Sequence, residues 1–293
     1  MDVLSEVEST NFVLHAKSDQ YFWEGTGQLS LKTFTRGTAH YKTDRGFFAI
    51  EEDRYLLLNE GHYTITIEDT SEVESFCLFF KSGFAEEVFR SMEDSTENLL
   101  TDPYKPLHSS GFFEKTYEKN VGFSSQLDYF KTNLSSLKNN PLWEEEQFHN
   151  VMQTVLISQQ KTWLEVDSLD SMRLSTRKEL YKRIHIAHDY IRAFYNQPID
   201  LHEISRIACL SPNHLLRKYA ELFGKTPHQH ISELRISKAK NLLCNMDFNM
   251  TDIALEIGFD NPSSFSKMFK QFTGLSPMQY RKKVILDKYS SEN

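Results

Sequence analysis

Arg217 and Lys267 stand at matching places in a repeated pattern. A basic side chain that recurs at one place of a repeated helix suits phosphate oxygens and the acceptor edges of bases. Rival chemistries are thinly supplied. A catalytic metal needs clustered His and carboxylate ligands, yet His40 and His62 stand alone in the N-terminal half. His228-Gln229-His230 opens a predicted helix, where residues two apart point to different sides. His185 and His188 are three apart and within reach of one ligand, but structural histidines are the commoner case. No phosphate-binding glycine loop, GxSxG or HExxH occurs. Cys77 lies in an apolar strand pattern and reads as core, Cys209 falls at a helix turn and reads as packing, and with Cys244 they form no CxxC. That spacing argues against a disulfide framework or a structural zinc site and suits a reducing compartment. The expectation is a protein with no catalytic set, no metal and no cofactor.

The repeat itself is specific. Ile204 matches Ile253 and Leu210 matches Phe259 at an offset of 49, while Leu215, Arg217 and Tyr219 match Phe265, Lys267 and Phe269 at an offset of 50. Gly224-Lys225-Thr226-Pro227 matches Gly274-Leu275-Ser276-Pro277, again at 50. Each copy reads as helix, tight turn, helix. The turn falls at Cys209 or Gly258; glycine tolerates positive φ there and cysteine is a departure. Ser211 or Asn261 caps the second helix, with Pro212 or Pro262 at its first position. Gly224 and Gly274 stop it in a left-handed cap. Leu215, Tyr219 and Phe223 point to the core, as do Phe265, Phe269 and Phe272. Asn213, Leu216, Arg217 and Ala220, and Ser263, Ser266, Lys267 and Lys270, face away. Such a unit can place its second helix in a major groove.

Charge supports that reading. Residues 1–174 carry 15 Lys+Arg against 29 Asp+Glu, a net of −14, while residues 175–293 carry 18 against 12, a net of +6. The overall −8 therefore hides a basic C-terminal module, and an acidic body joined to a basic module points to polyanion binding by the module. A chain of 293 residues with 39% hydrophobic residues and scarce Gly and Pro forms two or three cored domains rather than a disordered or collagen-like chain. The longest apolar runs fall far short of a membrane span, and the first residues lack the basic and apolar regions of a signal peptide, so a cytoplasmic location is expected.

Elements that position the repeat follow from periodicity. From about Trp23 to Phe80 the pattern has period two, with Tyr63, Ile65 and Ile67 on one face. Thr43-Asp44-Arg45-Gly46, Asn59-Glu60-Gly61 and Asp69-Thr70-Ser71 read as turns between short strands, a pattern of sandwiches and barrels. Phe84, Val88 and Met92 begin helical spacing, and Asp102-Pro103-Tyr104-Lys105-Pro106 breaks it. Leu127, Phe130, Leu134 and Leu137, then Phe148, Met152, Val155 and Gln159, predict two helices joined at Asn139-Asn140-Pro141. Leu164 to Ser171 reads as a linker. Thr176-Arg177-Lys178-Glu179 reads as a capping box opening a helix that Asn196-Gln197-Pro198 ends.

The C-terminal region resembles the DNA-binding domain of the AraC/XylS family of bacterial transcription regulators. The second copy carries the likeness: Ile253-Ala254, Ile257-Gly258-Phe259, Ser264-Phe265-Ser266-Lys267, Phe269-Lys270, Thr273-Gly274, Ser276-Pro277 and Tyr280-Arg281. The resemblance implies an α+β chain: a cupin-like β-barrel sensing domain over residues 1–110, a helical dimerisation hairpin and linker over 111–174, and a double helix-turn-helix domain over 175–293, its units joined by a long helix near Gln229–Leu243. It implies base contacts from Asn213, Leu216, Arg217, Pro262, Ser263, Ser266 and Lys267, and phosphate contacts from Ser211, Lys218, Lys225, Lys270 and Arg281. Leu216 departs from the polar residue often found at its place; an apolar side chain suits a thymine methyl. Implied partners are double-stranded DNA, a second copy of the chain, RNA polymerase and a small-molecule effector, for which Trp23, His40, His62 and Tyr63 are the candidate residues. The expected role is an activator. Two alternatives stand beside it: a regulator without an effector, controlled by a protein partner, and a non-metal cupin enzyme with an accessory DNA-binding domain.

Overall fold

The computed structural model describes residues 10–93, 111–137, 140–170 and 173–291. Two compact units divide the chain between Asp189 and Tyr190.

The first unit is built on seven antiparallel strands: β1 (Phe12–Gly27), β2 (Ser30–Thr35), β3 (Ala39–Thr43), β4 (Phe47–Ile50), β5 (Arg54–Leu58), β6 (Gly61–Phe79) and β7 (Lys115–Glu118). The order is β4-β3-β6-β2-β5-β7, with β1 along the other side of β6. β6 is the spine: residues 63–66 pair with β3 and residues 74–79 pair with β2. The sheet curls until β4 lies beside β5 and β7, which gives a nearly closed, cupin-like barrel.

Period two explains how the barrel is filled. Tyr63, Ile65, Ile67, Val73, Cys77 and Phe79 of β6 share the interior with Phe34, Tyr41, Phe48, Leu56 and Leu58. The opposite parity, Leu31, Tyr55, Leu57, Phe76 and Leu78, faces outward against helices. Those are α1 (Phe84–Glu93), α2 (Val121–Leu137) and α3 (Pro141–Ser168), which supply Val88, Leu127, Phe130, Phe148, Met152 and Val155. Strands covered on both faces lose the alternation that a one-sided sheet shows.

Several expectations need correcting. Asp69-Thr70-Ser71 is not a turn between strands; it lies inside β6. Its turn chemistry appears as an irregularity: the register slips from Ser18↔Val73 to Gln20↔Glu68, leaving extra residues on β6. The sheet also begins earlier than Trp23, at Phe12, because the polar run of residues 17–20 separates Phe12, Val13 and Leu14 from the later apolar residues of β1. Leu164–Ser168 is not linker but the last turn of α3. Val166 is fully buried there, Glu165 reaches Lys115 and Tyr181, and Asp167 pairs with Arg177 at 2.9 Å. Thr176 does not cap its helix, since α4 (Leu174–Phe194) already starts two residues earlier and Arg177 N–H donates to the Arg173 carbonyl at 3.0 Å. The Asp102–Pro106 break and Asn139 lie outside the described residues.

The division between the units falls within α4 rather than at its start. Tyr181 and Ile184 are buried in the first unit, and Asp189 accepts from Thr116 Oγ1 at 2.5 Å.

From Tyr190 on the chain is helical: α5 (Leu201–Ile207), α6 (Pro212–Phe223), α7 (Pro227–Leu243), α8 (Met250–Glu256), α9 (Pro262–Thr273) and α10 (Pro277–Ser291). Ile204, Leu215 and Tyr219 are buried at the first pair of short helices, and Ile253, Ile257, Phe265 and Phe269 at the second. α7 joins the two halves and gives Ile236, Ala239 and Leu243 to the second core.

Candidate functional site

The two halves close their turns with the same backbone device. After α5, Cys209 takes φ +51° and Leu210 N–H donates back to the Ser205 carbonyl at 2.9 Å. After α8, Gly258 takes φ +82° and Phe259 N–H donates to the Ala254 carbonyl at 2.8 Å. Both are left-handed helix ends whose six-to-one bond satisfies an otherwise free carbonyl. Cysteine thus adopts the conformation that glycine favours, as its place in the repeat predicts.

The following helices start alike. Ser211 accepts from His214 N–H at 3.4 Å with Pro212 at the first position, and Asn261 accepts from Ser264 N–H at 2.8 Å ahead of Pro262. Both end at a left-handed glycine, Gly224 at φ +68° and Gly274 at φ +77°. Reciprocal capping boxes then open the next helices, Thr226 with Gln229 and Ser276 with Gln279. α6 and α9 are therefore short rods with fixed ends, each held on its core by an aromatic face.

Their other faces meet solvent. Asn213, Leu216 and Arg217 of α6 are exposed, as are Ser263 and Lys267 of α9, while Pro262 and Ser266 are half-buried. Of the expected phosphate contacts, Ser211 and Lys270 are exposed. Lys225 is half-buried and pairs with Glu233. Lys218 and Arg281 are placed otherwise. Lys218 is buried and bonded to Glu221 at 2.7 Å, and Arg281 is buried and donates to the carbonyls of Leu243, Asn245 and Phe248. Sequence position shows a basic residue near the interface; it does not show that carbonyls of the same domain already claim it. Phe272 is a further correction: it is exposed, three residues after Phe269, whereas Phe265 and Phe269 are buried.

Arg281 has a counterpart. Arg235 of α7 donates to the Tyr195 carbonyl at 2.7 Å and the Gln197 carbonyl at 3.0 Å. Each arginine clamps the chain just before a short helix pair, which satisfies carbonyls left free where α4 and α7 end.

The barrel contains a cavity of about 1300 Å³. Trp23 and Tyr63 line it with ring centroids 5.0 Å apart. His40 and His62 do not; both are exposed on the outer face, and His62 lies 3.7 Å from Glu24. Strand parity accounts for the split, since His62 alternates with Tyr63. Sequence reading missed Lys32, which is buried and lines the cavity. Its Nζ donates to the Tyr63 hydroxyl at 3.1 Å and sits 3.6 Å from the centre of the Phe79 ring. Burial lowers its pKa to about 8. The unfolded chain, where lysine titrates normally, thus holds the extra proton between about pH 8 and 10.5, so this residue alone makes stability rise with pH across that window. No group of three or more His, Cys, Asp or Glu placed to hold a metal occurs among the described residues. None of their helices is long and apolar enough to cross a membrane.

Comparison with known proteins bears on the C-terminal third. Residues 204–283 match the family model for a helix-turn-helix domain. An uncharacterized HTH-type transcriptional regulator of Staphylococcus aureus strain COL is 39% identical over 93 residues, which are 32% of this chain and 12% of the relative. The MmsAB operon regulatory protein of Pseudomonas aeruginosa is 32% identical over 97 residues, 33% of this chain and 32% of that protein. The match thus spans about an eighth to a third of the length of these curated relatives. Among solved structures, the C-terminal domain of AraT, a response regulator from Geobacillus stearothermophilus, is 28% identical with a TM-score of 0.34, covering 34% of this chain and 84% of that one. Two capped helix pairs, the left-handed turns at Cys209 and Gly258 and the family match agree: this chain carries a helix-turn-helix domain of the AraC/XylS type at its C-terminus.

Proposed function

We propose that the protein is a sequence-specific DNA-binding transcription regulator whose α6 and α9 enter neighbouring major-groove segments. The observation that carries this is the paired geometry: two helices with equivalent caps, Ser211 and Asn261, and the same glycine stops, each burying one aromatic face and exposing Arg217 or Lys267 on the other. Asn213, Leu216, Arg217, Pro262, Ser263, Ser266 and Lys267 are the base-reading side chains of this proposal. Ser211, Lys225 and Lys270 serve the phosphates. The regulated step is activation of transcription through contact with RNA polymerase. The test is fluorescence anisotropy of the full chain on duplexes selected from a random library. Arg217→Ala and Lys267→Ala are each expected to cost about 1–3 kcal/mol of binding and relax sequence preference locally, with unchanged thermal melting. Full affinity in both variants would overturn the assigned orientation.

The barrel is the sensing part of this proposal. A small molecule in the cavity lined by Trp23 and Tyr63 shifts the population of DNA-competent molecules, by as much as it prefers one state over the other. The protein acts as a homodimer through the α2–α3 hairpin, where Tyr129, Ile157 and Leu164 are exposed. Ile157 and Leu164 are seven apart and so share one face of α3. Leu164→Glu is expected to weaken self-association at least about tenfold in sedimentation equilibrium without lowering the melting temperature. A wild-type chain that stays monomeric at high concentration would sink the dimer.

A further inference from the structure

α6 and α9 are alike in backbone and unlike in chemistry. At three outward places that match at an offset of 50, α6 carries Asn213, Leu216 and Arg217, and α9 carries Ser263, Ser266 and Lys267. The first set discriminates between bases. An amide fork fits the adenine edge, a guanidinium fork fits the guanine edge, and an apolar side chain suits the thymine methyl. The second set discriminates poorly. A hydroxyl both donates and accepts, so it suits several bases. An ammonium is a point charge on a flexible stem and meets a guanine edge or a phosphate alike.

Attraction for phosphates is divided the other way. Lys267 and Lys270 are both exposed, and α9 carries no carboxylate. On α6 the place of Lys270 is held by Ala220. Its second cation, Lys218, is buried and donates to the two carboxylate oxygens of Glu221 at 3.0 and 2.7 Å. Glu221 is exposed one turn after Arg217, where α9 has the neutral Gln271. Two cations and one carboxylate give α6 a net charge of +1, and two cations alone give α9 +2.

We propose that the two helices divide the work: α6 reads bases while Glu221 cancels part of its attraction for phosphates, and α9 grips phosphates with little reading of its own. This rests on the proposed DNA-binding role and assigns sequence choice within it. Glu221 weakens the hold on every duplex, because it engages the Lys218 ammonium and turns its own charge toward a polyanion. Only a duplex that satisfies Asn213, Leu216 and Arg217 offsets that loss. The expected binding site therefore has one demanding block, with guanine, adenine and thymine at fixed places, and one tolerant block about a helical turn away.

The experiment is selection of duplexes from a random pool by the full chain, then anisotropy on single-base variants of the recovered site. A substitution is expected to weaken binding about tenfold or more in the α6 block and about threefold or less in the α9 block. Exchanging Asn213→Ser, Leu216→Ser and Arg217→Lys together is expected to flatten the demanding block. The reverse exchange on α9, Ser263→Asn, Ser266→Leu and Lys267→Arg, is expected to sharpen the tolerant one. Glu221→Gln keeps an oxygen for Lys218. It is expected to tighten binding to selected and unselected duplexes alike, about fivefold, and to steepen the salt slope by about one unit. Two equally demanding blocks overturn the division of work, as does a demanding block that survives the α6 exchange. Unchanged affinity and slope in Glu221→Gln overturn the part given to that carboxylate. Should the α6 exchange fail to fold, the wild-type profile and the α9 exchange decide. A chain that binds every duplex equally, with no site recovered, rejects sequence-specific binding itself.

Discussion

Gly258→Ala is expected to destabilise the C-terminal unit by about 2–4 kcal/mol, which for a unit of this size lowers its melting temperature by roughly 10–25 °C. Two costs add. Gly258 sits at φ +82°, where a Cβ is strained by about 1 kcal/mol. That Cβ would also stand 2.3 Å from the Asn196 carbonyl oxygen and 2.7 Å from its carbon. These are backbone atoms, and the segment cannot swing aside because Arg235 holds the carbonyls on either side of Asn196. Arg235 also covers the Phe259 ring at 5.3 Å, so the turn, the clamp and the end of α4 form one junction. Cys209 supplies the control. It holds the same place in the first repeat at φ +51°, so Cys209→Gly relieves strain and is expected to gain up to about 1 kcal/mol. Calorimetric melting of both variants checks the pair. A Gly258→Ala protein that melts with the wild type would show that the junction yields, and the tight approach would not be what fixes the second unit.

The contrast between Gly258 and Cys209 shows how far sequence alone reaches. The repeat, its caps and its stops were legible because each rests on a local rule: an oxygen one residue before a proline, a glycine after a helix, an aromatic every fourth residue. Even the one-residue difference between the copies appears as it should, with Ser211 following Leu210 directly and Asp260 intervening before Asn261. What the rules could not reach was burial, and for Arg281 and Lys32 partners far away in the chain. Lys218, Arg281 and Lys32 all look like surface cations in sequence. Their burial depends on Glu221, on carbonyls near Leu243 and on strand parity around Cys77. The parity of Lys32 with Phe34 was available as a signal, but Leu31 and Thr33 are buried too, so β2 shows no alternation to read. Likewise Val166, fully buried, marks the end of α3 as packed helix, whereas Glu165, Asp167 and Asp170 beside it imitate a solvated linker.

Arg281→Ala is expected to remove about 3 kcal/mol from the second helix pair, a larger loss than any phosphate contact would entail for folding. Nε donates to the Leu243 carbonyl at 3.2 Å, and Nη2 donates to those of Asn245 at 3.3 Å and Phe248 at 2.7 Å. These carbonyls belong to the last residue of α7 and the turn that leads to α8, so one side chain on α10 fastens the start of the pair it follows. Truncation leaves three acceptors without their charged donor, while Lys at this position offers a point charge that cannot span them in the guanidinium's planar fork. Arg281→Lys is therefore expected to recover less than half of the loss. The salt dependence of DNA binding separates this role from an electrostatic one. A phosphate contact contributes close to one unit to the slope of log affinity against log salt, and its removal lowers that slope. For Arg281→Ala, measured well below its melting temperature, the slope is expected to match the wild type, whereas for Lys270→Ala it is expected to fall by about one. A lowered slope with an unchanged melting temperature in Arg281→Ala would return this residue to the DNA and leave the three carbonyls to water.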